Sequence, residues 1–440
     1  MPTAIEIFKY LPKKNCGECK HPTCLAFAMA LANNKAKVED CPYISEEGKR
    51  TLAASSAPPI RLVKVGSGRH AFEIGDETEL YRHEKKFFHP TRYCVILDDN
   101  IEDQELEGRT LAVNRTKFER VGQIMAADMV AVRHVSGDAQ RFARAVSVVA
   151  DSTDLPLLLM SKDVQTLEVA AASIAAKLPL LDAADKDNWA PMAALAKRLR
   201  CPLVVREGRG LNELADLVAL VKGAGVEDIV LDFGALTLKE LMERSNVVRK
   251  VSVKRTFRGL GYPVLVQALG PQAMLMATLA TMKYGSIVAL EELRPEQALP
   301  LFVLRQNIYT DPQVPIQVKP DLYPVNNPGE NAPVLFTTNF SLTYFTVLAD
   351  IEKSKVPVWL QVVDTEGLSV LTAFAAGKLS AEHVQKALEK SGAKSRSRSG
   401  TLIIPGMVAR LAPKLGEVTG MKVLVGPKES SGLPKFLKGL

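Results

Sequence analysis

Short apolar runs rich in β-branched residues recur through the middle of the chain, and segments with helical spacing separate them. The predicted strands cover residues 94–97, 129–135, 156–160, 179–181, 202–205, 228–231, 263–267 and 287–290. The segments between them, for example 211–222 and 271–283, carry apolar residues at the period of an amphipathic helix. Strands and helices that alternate in this way predict a central (β/α)8 TIM barrel.

The C-terminal part of the chain repeats this alternation on a smaller scale. Its predicted strands cover 334–337, 356–363, 401–404 and 422–425, and its predicted helices cover 343–352, 368–376, 381–390 and 407–418. This βα order predicts a small, open, doubly wound (Rossmann-like) parallel sheet, in which ligands bind beyond the carboxyl ends of the strands. The loops expected there, 337–343, 364–372, 405–406 and 426–434, are rich in Thr, Ser and Gly. We interpret them as a ligand site, although these residue types also fill ordinary turns.

Two changes in composition mark domain boundaries. Residues 53–59 are Ala, Ser and Pro and are typical of a linker, and the apolar runs 60–65 and 71–74 around Gly66 and Gly68 predict a hairpin. The proline-rich segment 311–333 argues against a sustained helix or strand. We therefore predict an α/β protein with a four-cysteine domain at 1–57, a connector at 58–92, the barrel at 93–325 and the doubly wound domain at 326–440.

Composition narrows the class of protein. The chain has 440 residues, enough for about three domains, and it is 47% hydrophobic and 24% charged, as in ordinary globular proteins. No apolar run approaches the length of a membrane span, and the N-terminus has no signal peptide pattern. The net charge of +7 comes from dispersed lysines and arginines, which argues against nucleic acid as the main partner. We expect a protein of the reducing cytoplasm, bound to neither nucleic acid nor membrane.

Four of the six cysteines lie in the first 41 residues, with the spacing C-x2-C-x4-C-x16-C followed by proline. Disulfides are disfavoured because nothing indicates secretion. Structural zinc is a second alternative, although zinc sites usually show two separate C-x2-C pairs. An iron–sulfur cluster is favoured, because C-x2-C runs with a distal Cys-Pro are familiar elements of such sites. The predicted metal ligands are the four thiols Cys16, Cys19, Cys24 and Cys41.

The residues beside these cysteines suit an anionic cluster. Gly17 allows the backbone to approach a sulfide closely. Lys13, Lys14 and Lys20 bring positive charge, although each lysine alone is typical of solvated surface. Cys94 and Cys201 lie in or beside apolar strands, where an unpaired cysteine behaves as a small hydrophobic residue.

Three features together resemble one family: the cysteine segment, the barrel and the doubly wound domain. The chain resembles the large (gamma) subunit of the corrinoid iron–sulfur protein of the acetyl-CoA (Wood–Ljungdahl) pathway and of the acetyl-CoA decarbonylase/synthase complex. The resemblance covers essentially the whole chain. Its most specific pieces are NCGECKHPTC at 15–24, CP at 41–42, TTNFSLTY at 337–344 and EGLSV at 366–370.

The resemblance implies a methyl carrier with two cofactors. It implies a [4Fe-4S] cluster on the four cysteines and a cobamide, a corrinoid of the cobalamin type, in the C-terminal domain. The cobalt in the Co(I) state takes a methyl group from methyltetrahydrofolate, presented by a separate methyltransferase, and passes it to acetyl-CoA synthase. The cluster returns an electron when Co(I) has oxidised to Co(II). No side-chain acid, base or nucleophile is required, and the protein supplies binding, redox poise and access.

The resemblance also implies partners and cofactor contacts. A small subunit forms a heterodimer with this chain and completes the corrinoid site, and the methyltransferase and acetyl-CoA synthase/CO dehydrogenase are further partners. Loop position and the resemblance together predict the corrinoid contacts Thr338, Asn339, Phe340, Ser341, Thr343, Thr346, Gly367, Ser369, Val370, Leu371, Thr372, Ala373, Gly406, Gly426, Gly432 and Leu433.

The chain lacks the D-x-H-x-x-G motif by which some cobalamin proteins supply a histidine to cobalt. His383 has neither the Asp nor the Gly of that motif, and His134 has Val132 where the Asp is needed. Cobalt without an imidazole ligand is easier to reduce to Co(I), and the resembled family holds its cofactor base-off without a protein histidine. We therefore predict a base-off cobamide.

Polar residues at the ends of the barrel strands raise a rival hypothesis. They are Asp98, Asp99, Asn100, Asp182, Asp232, Gln267, Glu291 and Glu292. Barrel active sites lie at these ends, so the chain could be an iron–sulfur electron donor fused to a barrel methyltransferase that acts on a pterin substrate. The other interpretation is that these side chains cap helices and line loops, and we favour it because no converging set is evident. A zinc-stabilised interaction protein is a third, weaker hypothesis.

Overall fold

The structure is a computed structural model that describes residues 4–32, 36–46, 48–49, 52, 58–234, 236–255, 257–311 and 313–440. The chain divides into two compact units. The first unit comprises Met1–Leu80, Phe88–Val113 and Asp128–Leu293, and the second comprises Tyr81–Phe87, Asn114–Ala127 and Arg294–Leu440. The predicted linker falls mainly on 53–57, which lies outside the described residues.

A closed barrel of eight parallel strands forms most of the first unit, which confirms the predicted fold class. Its strands, in their order around the barrel, are β3 Arg92–Asp98, β6 Met129–Arg133, β7 Leu157–Met160, β8 Leu180–Ala184, β9 Leu203–Arg206, β10 Ile229–Asp232, β11 Val264–Ala268 and β12 Ile287–Leu290. The helices that follow them along the chain are α3 Asp103–Arg115, α4 Ala139–Ser152, α5 Val164–Ser173, α6 Trp189–Leu199, α7 Leu211–Gly223, α8 Leu238–Lys254, α9 Ala273–Met282 and α10 Pro295–Tyr309. Strand order and chain order agree because each crossover moves one position around the barrel.

The barrel strands are buried on both faces, which explains their continuous apolar runs. All four residues of β7, β10 and β12 are buried. One cluster fills the barrel with side chains such as Ile96, Met129, Leu158, Val204 and Leu265. The barrel interior is therefore a packed core.

The predicted hairpin closes the amino-terminal end of the barrel. Strands β1 Val63–Val65 and β2 Phe72–Ile74 pair antiparallel, and their apolar side chains belong to the barrel core. Gly66, with a φ of +82°, lies so close to the residue before β7 that an added Cβ would meet Pro156 Cγ at 2.6 Å. Because catalytic residues of such barrels lie at the opposite end, the hairpin has a structural role.

The N-terminal segment builds a small apolar core of its own. It contains α1 Ala4–Lys9 and α2 Cys24–Ala32. Ile7, Phe27 and Leu52 are at most 1% exposed, and they pack in one cluster with Cys24 and Cys41. Two of the four predicted ligands are thus part of this core.

The second unit contains a five-stranded sheet in the order β13-β15-β14-β16-β17. Its strands are β13 Leu322–Val325, β14 Val334–Thr338, β15 Val358–Val363, β16 Thr401–Ile404 and β17 Lys422–Val425. Its helices after α10 are α11 Ser341–Ser354, α12 Val370–Ala375, α13 Ala381–Lys390, α14 Ala393–Arg396, α15 Ala412–Thr419 and α16 Leu433–Lys438. The first parallel strand, β14, has β15 on one side and β16 on the other, so the topological switch point lies between β14 and β16.

Three strands differ from the sequence-based expectation. Strand β13 forms inside the proline-rich segment and pairs antiparallel with β15, although we expected no sustained strand there. It is tolerated because it is short and lies at the sheet edge, where the missing N–H of Pro324 costs little. The sequence analysis also missed the hairpin of β4 Lys117–Arg120 and β5 Gln123–Ala126, whose half-exposed residues show no strong apolar run.

Candidate functional site

The four N-terminal cysteines differ in exposure. Cys16 is exposed, Cys19 is partly buried, and Cys24 and Cys41 are buried. Within the described residues, no three Cys, His, Asp or Glu side chains converge closely enough to hold one metal ion. The structure thus places three of the thiols in or against one apolar cluster and leaves Cys16 at its surface.

The loop before α2 is held by a reciprocal pair of hydrogen bonds. The backbone N of Cys24 donates to Asn15 Oδ1 over 2.8 Å, and the backbone N of Asn15 donates to Cys24 Sγ over 3.4 Å. The φ angles of Lys13, Asn15 and Lys20 are +58°, +48° and +63°. Such left-handed residues turn the chain sharply. An N–H that points at a cysteine sulfur is one of the devices that tune iron–sulfur clusters.

Tyr43 marks a charged environment beside two of the thiols. A hydrogen bond from its hydroxyl to Glu18 Oε1 at 2.8 Å is the main cause that raises the pKa of Tyr43, and the charges of Glu18, Cys16 and Cys41 add to it. Lys14 Nζ lies 4.1 Å from the centre of the Tyr43 ring. This cation–π contact holds a positive charge over the Tyr43 ring.

The remaining two cysteines are poor candidates for metal ligands. Burial raises the pKa of Cys94 well above its ordinary value and that of Cys201 to about 11. Both thiols therefore stay protonated at neutral pH, whereas a metal ligand must be a thiolate.

A buried charge network occupies the carboxyl end of the barrel. Nη2 of Arg206 donates to both oxygens of Asp182 at 2.7 and 2.8 Å, and its Nε donates to Asp232 Oδ2 at 2.8 Å. Gln267 Nε2 donates to both aspartates at 3.2–3.3 Å. Burial raises the pKa of Asp182 to about 6 against the opposing charge of Arg206, and the charge of Asp232 raises it further. The structure thus brings together three of the polar residues predicted at strand ends.

The other polar residues at this end form separate contacts. Arg133 bridges Asp98 and Glu291, with donor–acceptor distances of 2.6–3.0 Å. Asp99 is fully buried and accepts from His134 Nδ1 at 2.7 Å and from Ser136 Oγ at 2.6 Å. Burial raises the pKa of Asp99, but these hydrogen bonds and two from backbone amides outweigh it, so the pKa is lowered. Asn100 and Glu292 are exposed. Of these residues, Asp98, Asp99 and Glu291 are already engaged by hydrogen-bond partners on the barrel.

The second unit contains a cavity of about 530 Å³ at the carboxyl ends of β14 and β16, where the switch point lies. The residues that line it are Leu335, Phe336, Thr337, Leu342, Thr343, Thr346, Val347, Ser369, Val370, Leu371, Ile403, Ile404, Pro405, Met407, Pro427, Lys428, Glu429, Ser430 and Leu433. Leu342, Leu371 and Met407 are 50%, 50% and 44% exposed. The walls are mainly apolar and the rim exposes further apolar side chains, as in a site for a large amphipathic ligand.

Three buried hydroxyls at or just after the end of β14 lack hydrogen-bond partners among the residues that the structure describes. The Oγ1 atoms of Thr337 and Thr338 and the Oγ of Ser341 are buried and have no partner, and each of these residues is at most 1% exposed. Thr337 lines the cavity itself. A buried hydroxyl without a partner costs stability. Such groups at a cavity indicate a site whose hydrogen bonds a ligand completes.

Six of the predicted corrinoid contacts line the cavity: Thr343, Thr346, Ser369, Val370, Leu371 and Leu433. The other predicted residues lie around it without lining it: Thr338, Asn339, Phe340, Ser341, Gly367, Thr372, Ala373, Gly406, Gly426 and Gly432. Gly406 shows why a loop glycine is needed here, since an added Cβ would lie 2.5 Å from Gly426 O and 2.8 Å from Lys428 N.

Sequence reasoning missed lining residues on the strands and at loop positions between the predicted ones. Examples are Leu335 and Ile403 on adjacent strands β14 and β16, and Met407 after β16. The composition of the loops 405–406 and 426–434 had indicated a ligand site in this region, and both loops contribute lining residues. The apolar wall carries no local signal, because these residues read only as the core of a strand or helix.

Comparisons with known proteins agree with this architecture. A family model described as "CO dehydrogenase/acetyl-CoA synthase delta subunit" matches residues 62–437, and a model described as "Putative Fe-S cluster" matches residues 11–43. The second match contains all four N-terminal cysteines.

Three relatives are similar over nearly the whole chain. The corrinoid/iron-sulfur protein large subunit of Moorella thermoacetica is 45% identical over 99% of this chain and 98% of its own. The acetyl-CoA decarbonylase/synthase complex subunit gamma 1 of Methanosarcina mazei is 36% identical, over 99% of this chain and 97% of its own. The gamma subunit of the same complex from Methanopyrus kandleri is 34% identical over the same shares.

The fold and cavity define an α/β protein that contains a parallel barrel and a doubly wound sheet with a cavity at its switch point. The chain belongs to the family of corrinoid/iron-sulfur protein large subunits and acetyl-CoA decarbonylase/synthase gamma subunits. The resemblance drawn from the sequence is thereby confirmed. None of the described helices has both the length and the apolar character needed to cross a membrane.

Proposed function

We propose that this chain is a corrinoid methyl carrier of the acetyl-CoA pathway with a [4Fe-4S] cluster in its N-terminal segment. The relatives support it through their names, which refer to a corrinoid/iron-sulfur protein and to acetyl-CoA decarbonylase/synthase complexes. The observation that carries the proposal in this chain is the cavity lined by Thr337, whose buried hydroxyl has no hydrogen-bond partner among the described residues.

The N-terminal residues fit an iron–sulfur cluster in their chemistry. Cys16, Cys19, Cys24 and Cys41 would hold it. The backbone N–H of Asn15 already donates to the sulfur of Cys24, and Lys14 lies over the ring of Tyr43. Because no three of these thiols converge among the described residues, cluster binding requires the loop before α2 to bring the four sulfurs closer together. The apolar surroundings would limit solvent access and so influence the potential of the cluster.

The cavity in the second unit fits a corrinoid. Its apolar wall matches the faces and methyl groups of the ring. Hydroxyls such as those of Thr337, Thr343 and Ser369 can pair with amide substituents at the ring edge. Among the described residues that line the cavity there is no histidine. We therefore propose a base-off cobamide held without a protein imidazole.

When bound, a corrinoid would supply a cobalt centre for methyl transfer from methyltetrahydrofolate to acetyl-CoA synthase, and a cluster held by Cys16, Cys19, Cys24 and Cys41 would supply the electron for reductive reactivation of Co(II). The residues of this chain would bind and orient the corrinoid and shield it from water. The apolar side chains of Leu342, Leu371 and Met407 form the rim and would limit the access of water to the cofactor.

The proposed partners follow from the same assignment. A small subunit would cover the exposed apolar rim and form a heterodimer with this chain. A methyltetrahydrofolate methyltransferase would deliver the methyl group, and acetyl-CoA synthase/CO dehydrogenase would receive it. We give the barrel a scaffold role, because Asp182 and Asp232 are tied to Arg206 and Gln267.

Metal analysis of the full chain tests the proposal. The protein is produced anaerobically with its small subunit, reconstituted with a cobamide, and analysed for iron, cobalt and visible absorption. We expect about four iron atoms and one cobalt per chain, as the cluster type requires. The C24S variant should lose iron, whereas the matched C201S variant should keep it, since Cys201 is buried just before barrel strand β9 and is not one of the four N-terminal cysteines.

Other outcomes would overturn the proposal. Zinc in place of iron would support the interaction-protein hypothesis, and iron without cobalt after reconstitution would remove the carrier function. Turnover of methyltetrahydrofolate by this chain alone, abolished in D182N or D232N, would establish the barrel methyltransferase.

A further inference from the structure

Asn339 lies directly after β14 and is fully buried, yet it does not line the cavity. Its carboxamide makes contacts in two directions. Oδ1 accepts from the backbone N of Thr365 at 2.9 Å and of Gly367 at 3.0 Å, and Thr365 Oγ1 lies 2.9 Å from the same atom. Nδ2 donates to Gln317 Oε1 at 3.1 Å and to Asp364 Oδ1 at 3.0 Å. One side chain thus joins three separate chain segments.

The segment it holds is strained. Residues 364–369 connect β15 to α12, and within them Glu366 and Gly367 have φ angles of +58° and +77°. A left-handed conformation is unfavourable for a non-glycine residue such as Glu366. The loop therefore needs external support to keep this shape. Asn339 provides it by accepting from both sides of Glu366, at Thr365 and at Gly367.

The same loop leads directly into residues that form part of the cavity wall. Ser369, Val370 and Leu371 follow it directly, and all three line the cavity. Their positions depend on where the loop ends, because Ser369 immediately precedes α12. A displaced loop would shift three wall residues together.

We propose that Asn339 is a positioning residue for the cofactor pocket: it clamps the 364–367 loop so that residues 369–371 form the wall. This inference rests on the proposed corrinoid site and adds to it a role for a residue that does not touch the ligand. The clamp requires an amide, because the oxygen must face two N–H groups while the nitrogen faces the carboxylate of Asp364.

Isosteric exchange tests the clamp. In N339D, one carboxylate oxygen still accepts from Thr365 and Gly367, but the other faces Asp364 about 3 Å away, and two like charges at that distance repel. In the double variant N339D/D364N, an amide again opposes a carboxylate and the repulsion is removed. D364N alone is the matched control for loss of the Asp364 charge.

The measurements use the full chain produced with its small subunit and titrated with hydroxocobalamin, together with amide hydrogen exchange of the same cofactor-free complex. We expect N339D to bind at least about tenfold more weakly, since one lost strong contact is worth about a factor of ten. Exchange at the amides of Thr365 and Gly367 should rise at the same time, and D364N in the N339D background should restore both quantities in part.

Three results would overturn the inference. Faster exchange with unchanged affinity would mean that the loop does not shape the pocket. Weaker binding with unchanged exchange would mean that Asn339 contacts the ligand itself. If the double variant recovered neither the affinity nor the slow amide exchange, repulsion between residues 339 and 364 would not be the cause of the N339D effect. Absence of hydroxocobalamin binding by the unaltered complex of this chain with its small subunit would instead overturn the proposed function.

Discussion

Asn15 and Cys24 are nine positions apart and hold each other through two hydrogen bonds, from Cys24 N to Asn15 Oδ1 and from Asn15 N to Cys24 Sγ. The first bond caps the start of α2, and the second places a donor on a proposed cluster ligand. The φ of Asn15, +48°, lies in the left-handed region that asparagine tolerates better than most residues. Both the side chain and the backbone of Asn15 thus stabilise this turn.

Two substitutions of Asn15 should therefore weaken iron retention to different degrees. N15G keeps the left-handed backbone and loses the cap, whereas N15A loses the cap and adds backbone strain of about 1–2 kcal/mol. We expect iron release to a chelator to be slowest in the unaltered protein, faster in N15G and fastest in N15A. Release at equal rates in all three proteins would show that the turn has no part in cluster retention.

Thr337 offers a test of the cavity in which stability and binding change in opposite directions. T337V removes a buried hydroxyl that has no partner, so the free energy of unfolding without cofactor should rise by about 1 kcal/mol. The same change should weaken hydroxocobalamin binding about three- to tenfold through one lost hydrogen bond. Chemical denaturation and an absorbance titration measure the two effects.

The matched control for that prediction is T419V. Thr419 is equally buried in the same unit, but its Oγ1 donates to Leu415 O at 2.5 Å and accepts from Met421 N at 3.2 Å. T419V should lower the free energy of unfolding by about 1 kcal/mol and leave binding unchanged. A loss of stability in T337V as well would indicate that its hydroxyl is paired within the protein.

Replacement of Gly406 and of Gly416 by alanine should change the stability of the protein in opposite directions. In G406A the new Cβ would meet two backbone atoms, Gly426 O at 2.5 Å and Lys428 N at 2.8 Å, so the loops after β16 and β17 must separate. We expect a loss of about 1–3 kcal/mol and weaker corrinoid binding, because both loops line the cavity. G416A adds a methyl group on α15 where the nearest atom is 3.9 Å away, and it should stabilise by up to about 1 kcal/mol. Thermal denaturation compares the two variants, and equal Tm values for both would contradict the prediction.

The raised pKa of Asp182 predicts how the stability of the barrel depends on pH. Burial raises its pKa from 3.8 to about 6, so the folded state holds this proton more tightly than the unfolded state. Its contribution to stability is therefore greatest below pH 4 and falls as pH rises toward 6, by on the order of 3 kcal/mol. D182N removes the ionisation, so its stability relative to the unaltered protein should increase between pH 4 and pH 7.

Asp163 is a control for which the contribution to stability should change with pH in the opposite direction. A hydrogen bond from the Thr166 hydroxyl is the main cause that lowers the pKa of Asp163, so its contribution is present at neutral pH and is lost on acidification below pH 4. Urea denaturation of D182N and D163N at several pH values would separate the two. A D182N curve parallel to that of the unaltered protein would show that Asp182 does not titrate in this range.

Much of the fold could be predicted from local pattern. The strands Ile287–Leu290, Thr401–Ile404 and Lys422–Val425 and the helix Ala381–Lys390 have the predicted bounds. The other barrel strands differ by one to three residues at an end, since apolar runs do not define where pairing stops. Strand β13 and the β4–β5 hairpin were missed because pairing with a neighbour, rather than sequence period, creates them. The domain boundaries, the metal ligands and the individual corrinoid contacts stay predictions.

The amino-acid sequence alone determined the alternation of strands and helices, the cluster of four cysteines and the small-residue loops, because hydrophobic period and residue chemistry are local properties. Only the tertiary structure decided which of those loops meet. Leu335 and Ile403 are paired across β14 and β16 although 68 positions separate them, and this pairing creates the cavity. The partnerless hydroxyl of Thr337 and the clamp of Asn339 likewise depend on which distant groups surround them, and no local pattern carries that information.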